Sequence, residues 1–79
     1  MTTRIRSALA VNPDETIGQR IARLRKARGW TQYALAAEAG VHRWTVGRWE
    51  LNRMGQHRRH SLLLAVALNV DVSDLEPTP

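Results

Sequence analysis

A chain of 79 residues folds as one domain with a modest core, since a domain of this size buries only about 60% of the surface its unfolded chain exposes. It has no cysteine, hence no disulfide and no thiolate metal site, and no apolar run of the roughly 18 residues a membrane span needs, so a soluble cytoplasmic protein is expected. Twelve Lys and Arg against seven Asp and Glu leave a net charge of +5, and Asp71, Asp74 and Glu76 lie in a tail without basic residues, so the rest of the chain is the more basic and suits a polyanionic partner.

Residues 1–11, with Arg4 and Arg6, show no period and read as a flexible basic arm ahead of a domain over 12–76, with 77–79 a tail. Asn12-Pro13-Asp14-Glu15 offers an N-cap, a proline at the first helical position and a capping-box glutamate, while Thr16 with Gln19 offers a second start. From there Ile17, Ile21, Leu24 and Arg28 share one stripe, and Arg20, Arg23 and Lys26 point elsewhere until Gly29 stops the helix. Thr31 caps a second, short helix whose apolar face is Leu35, Ala36 and Ala39, and Gly40 turns the chain.

His42 to Leu51 forms a third helix with Val46 and Trp49 turned inward. Arg43 with Gly47, and Trp44 with Arg48, are each four residues apart and share a different, outward face. Gly47 is unexpected there, since glycine inside a helix costs about 1 kcal/mol relative to alanine. Trp30 and Trp49 occupy apolar positions and read as core.

Asn52 to His57 reads as a loop, and Ser61 to Val70 as a fourth helix that is apolar almost all round. Leu64, Ala65 and Leu68 suffice for its inward face. Leu62, Leu63 and Val66 are a surplus, which marks either a homodimer interface or deeper burial within one chain. Asp71 or Ser73 caps a last turn carrying Leu75, before Pro77 and Pro79 end regular structure.

His57 and His60 have no cysteine or further nearby histidine to complete a coordination set, so neither metal nor cofactor is expected. No nucleophile with a base and no phosphate-cradling glycine loop appears, which argues against an enzyme.

Two short helices joined through Ala39-Gly40-Val41 in a basic, all-helical chain are what a helix-turn-helix requires. The chain resembles the lambda-repressor, Cro and Xre type of DNA-binding domain in Ile17-Gly18-Gln19-Arg20-Ile21, Leu24-Arg25, Gly29-Trp30-Thr31-Gln32, Leu35-Ala36 and Gly40-Val41. The likeness continues in Thr45-Val46, Arg48-Trp49-Glu50, Ala67-Leu68-Asn69-Val70 and Leu75, so it spans about residues 16–76.

The resemblance implies a compact bundle of four or five helices whose third helix enters the major groove of double-stranded DNA, usually as a homodimer on a two-fold operator. By position it makes Arg43, Trp44, Arg48 and Thr45 the base-reading residues, and Gln32, His42, Asn52 and Arg53 the phosphate contacts. It also makes Arg25 and Glu50 a structural ion pair between the first and third helices. Trp44 departs from the small or polar residue that relatives carry there, and packing on DNA, a protein partner, or its own domain are its three readings.

The function implied is a sequence-specific transcriptional regulator, most often a repressor. An antitoxin or an excisionase-like accessory factor of a mobile element fits the same fold, with a toxin, an integrase or polymerase as protein partner. An adaptor that binds protein and touches DNA only nonspecifically is the remaining alternative.

Overall fold

The computed structural model describes residues 14–53 and 58–75. Within them the chain is all-helical: α1 (Ile17–Ala27), α2 (Gln32–Ala39), α3 (Arg43–Glu50), α4 (Arg58–Leu68) and a closing 3₁₀ turn (Val72–Leu75). The arm over 1–11, the Asn12-Pro13 cap, His57 and the tail lie outside the described residues.

Of the two starts open to α1, the Thr16 capping box forms: the Gln19 amide donates to Thr16 Oγ1 at 3.1 Å, and the Thr16 amide to Gln19 Oε1 at 2.9 Å. Glu15 is instead drawn to the helix surface, where its carboxylate accepts from Arg23 at 2.6 Å and from Arg20 at 3.2 Å. Gly29, at φ +73°, ends the helix in a left-handed conformation that glycine adopts without strain. Thr31 caps α2 by accepting from Ala34, and Gly40 closes it in the same left-handed conformation, with the Val41 amide reaching back to the Ala36 carbonyl at 3.0 Å. This tight exit sets α2 against α3.

The α4 helix departs from expectation at both ends, beginning at Arg58 and stopping at Leu68. Ser61, the expected first residue of the helix, is a buried mid-helix residue whose hydroxyl donates to the Leu75 carbonyl at 3.4 Å, tying α4 to the 3₁₀ turn. Asn69 takes φ +56° and ends the helix, with the Val70 amide donating to the Ala65 carbonyl.

Leu35, Val46, Leu68, Val70 and Leu75 are the large side chains wholly removed from water, joined by Ile21, Leu24, Leu64 and Trp49 in one cluster. All the helices contribute to it, which is how so short a chain closes a core. Two positions differ from the sequence pattern. Arg28 does not continue the inward stripe of α1: it is exposed at the helix end, its guanidinium 4.6 Å from the Trp30 ring centre. Trp30 is accordingly only partly buried at the edge of the core, because the chain has already turned at Gly29 and shows only part of the indole to the interior.

Candidate nucleic-acid interface

The α3 helix is anchored at both ends, by different chemistry. At its start His42 is the N-cap, its Nδ1 accepting the Trp44 amide at 3.3 Å. At its end Glu50 is the meeting point of three helices: Arg25 of α1 donates through Nε to Oε2 at 2.7 Å and through a terminal nitrogen to Oε1 at 3.2 Å, and Gln32 of α2 donates to Oε1 at 3.0 Å. Arg25 also donates to the Trp30 carbonyl at 2.7 Å. The Arg25 and Glu50 side chains are only 10% and 9% exposed, so the two-point pair is shielded from water and its geometry fixes the axis of α3.

A second anchor follows directly. Asn52, at φ +58°, turns its amide back to α1, where Oδ1 accepts the Gly18 amide at 2.9 Å and Nδ2 donates to Thr16 Oγ1 at 2.9 Å. Gly18 allows that approach: a Cβ there would lie 2.6 Å from the carbonyl oxygens of both Trp49 and Glu50. On the inner side the Trp49 indole donates to His60 Nδ1 at 3.4 Å, edge-on to that ring, linking α3 to α4.

Held this way, α3 turns Val46 and Trp49 into the core and leaves His42, Arg43, Trp44 and Arg48 exposed, with Thr45 half-buried between the two faces. Each arginine on the outward face lies over an aromatic ring: Arg48 is 5.8 Å from the Trp44 ring centre, and Arg43 is 5.5 Å from that of Tyr33. Arg48 also donates to the Arg53 carbonyl at 3.4 Å. Trp44 is 56% exposed, so the indole is not folded back into its own domain. The arrangement presents two guanidinium groups, an indole and a phenol on one side of the protein, chemistry suited to phosphates, guanine edges and the flat faces of sugars and bases.

The residues assigned from the sequence thus fall into two groups. Arg43, Trp44, Arg48, His42 and Arg53 are exposed around α3. Gln32 and Asn52 spend polar atoms on Glu50 and on α1, so each of them braces α3. Tyr33 is the residue that sequence reasoning overlooked, because its nearness to Arg43 depends on how α2 crosses α3. Gly18 left a readable trace, a glycine inside a helix where alanine would be favoured. Among the described residues no group of three or more His, Asp or Glu side chains is placed to hold a metal ion. No helix among them is long and apolar enough to cross a membrane.

Comparison with known proteins agrees with this geometry. A helix-turn-helix family model matches residues 21–75. The crystal structure of the restriction-modification controller protein C.AhdI from Aeromonas hydrophila superposes with a TM-score of 0.71 at 36% sequence identity, covering 75% of this chain and 89% of that one. A search of curated proteins finds no match.

Proposed function

Because the chain belongs to the lambda-repressor, Cro and Xre type of helix-turn-helix DNA-binding transcription regulators, we propose that it is a repressor that occupies a short, two-fold related operator as a homodimer. The observation that carries this reading is the outward face of α3, where Arg43, Trp44 and Arg48 stand exposed on a helix pinned at its far end by Glu50. Arg43 and Arg48 read guanine edges, Trp44 packs on a thymine methyl or sugar with Thr45 beside it, and His42 and Arg53 hold phosphates at the two ends of α3. His42 suits that role at the cap because its Nδ1 accepts the Trp44 amide while the residue stays exposed to solvent. Gln32 and Asn52 supply phosphate contacts only with the donor capacity left after bracing α3.

Leu62, Leu63 and Val66 of α4 form the dimer contact, and the protein acts in the cytoplasm at the nucleoid without catalysis. The likeness to a restriction-modification controller makes a restriction-modification gene pair the favoured target. An adaptor role draws support from the exposure of Trp44 and Val66, 56% and 80% respectively.

Selection from random duplexes followed by sequencing tests the reading. Paired half-sites bound at least about 10³-fold more tightly than random DNA at near-physiological salt are the expected result. In the same assay Arg43→Ala weakens the selected duplex by about 1 to 3 kcal/mol and relaxes one base position. Binding without sequence preference overturns the regulator reading and leaves the adaptor.

A further inference from the structure

We propose that Tyr33 is a positioning residue for Arg43, holding that guanidinium toward a base edge so that an α2 side chain sets the base chosen at one position without reading it. The inference rests on the assignment of α3 as the base-reading helix.

Tyr33 stands in the first turn of α2 and is 71% exposed, more than Trp44, and it is absent from the buried cluster, so the fold does not depend on its ring. The Arg43 guanidinium carbon lies 5.5 Å from the ring centre, inside the roughly 6 Å over which a cation is drawn to an aromatic face. The two side chains border a shallow groove of about 210 Å³ lined also by Ala36, Ala37, Val41 and His42, a set without a carboxylate.

That composition matters. A carboxylate in this groove would hold Arg43 by its N–H edges and cancel its charge, removing it from DNA. An aromatic ring holds the flat face of the guanidinium and leaves the donor edges open for the O6/N7 pair of guanine. A long flexible side chain loses rotamer freedom when fixed, and attraction to the Tyr33 ring removes part of that loss before DNA arrives.

The test compares wild type, Arg43→Ala, Tyr33→Leu and Tyr33→Phe by random-duplex selection, competition titration on the wild-type selected duplex and on random duplex, and thermal unfolding. Arg43→Ala identifies the base position concerned. Tyr33→Leu is expected to broaden preference at that same position and to weaken the selected duplex about two- to fivefold, with random-duplex affinity and Tm unchanged. Tyr33→Phe, which keeps the ring, retains the wild-type profile.

An unaltered profile for Tyr33→Leu overturns the role of Tyr33 alone. So does an equal loss on selected and random duplexes, or a loss with Tyr33→Phe as large as with Tyr33→Leu, since either makes Tyr33 a direct phosphate contact. Wild type that enriches no sequence, or Arg43→Ala that relaxes no position, removes the base-reading assignment and this inference with it.

Discussion

Two glycines inside helices look alike in the sequence and differ in what surrounds them. A Cβ on Gly18 would press to 2.8 Å against Asn52 Oδ1 and to 2.6 Å against the backbone carbonyl oxygens of Trp49 and Glu50, which cannot withdraw without shifting α3. Gly18→Ala is therefore expected to cost about 1 to 3 kcal/mol in urea unfolding, as overpacked sites do. Around Gly47 the nearest atom is Gln32 Oε1 at 3.9 Å, an ordinary contact. Gly47→Ala is expected to stabilise the domain by about 1 kcal/mol, the difference in helix propensity. A destabilised Gly47→Ala would contradict the open surroundings described for that position. No contact inside the protein requires a glycine on that face; under the proposed function its role is close approach to DNA, and weaker binding by the stabilised variant is the accompanying expectation.

At the scale of the elements, two glutamates hold arginines, Glu50 between helices and Glu15 beside one, and they differ in what they join. Glu50 bonds Arg25 and Gln32 together in a place closed to water, so Glu50→Gln removes one of the three acceptors of Arg25 and leaves its charge buried without a counter-charge. An uncompensated buried charge costs about 3 to 5 kcal/mol, and thermal unfolding should show a loss of that order. A loss below about 1 kcal/mol would mean that the three-helix junction contributes little to the placement of α3.

Glu15 instead acts within the α1 region. The Arg23 hydrogen bond, aided by Arg20 and opposed by partial burial, holds the Glu15 carboxyl below its ordinary range, and the same bond raises Arg23 above its own. A depressed carboxylate stabilises the fold at pH values above its unfolded value of about 4.3, and that contribution disappears as pH falls through the lower, folded value. Glu15→Gln should therefore be less stable than wild type by about 1 kcal/mol at neutral pH. The gap should narrow in acid, and a gap that stays constant from pH 7 to about 3 would exclude the ionic origin.

For the whole molecule the outstanding feature of α4 is the division of its apolar residues. Leu64, Ala65, Ala67 and Leu68 close the core, while Val66 is 80% exposed and Leu62 46%, with Leu63 intermediate. Of the two outcomes open to that surplus, deeper burial within one chain does not account for Leu62 and Val66. Val66→Glu should leave the fold intact, since the side chain contributes nothing to the core, and should shift sedimentation from dimer to monomer. Leu63→Glu should do the same at some cost in stability. A wild type that sediments as a monomer at concentrations saturating its DNA would end the dimer proposal.

The sequence alone determined the number and order of the helices, the caps at Thr31 and Gly40, the inward set of Leu35, Val46, Trp49 and Leu68, and the outward grouping of Arg43, Trp44 and Arg48, while it left two starts open for α1 and missed both ends of α4. These are local or periodic properties, readable because a helix repeats every 3.6 residues and its ends demand particular side chains. Only the tertiary structure decided that Tyr33 lies beside Arg43, that Gly18 admits the end of α3, that Asn52 reaches back to α1, and that Ser61 is a buried donor within α4. Those relations join residues far apart in the chain, and they follow from how packed helices cross, a quantity set by the shape of the whole core and by no single stretch of sequence.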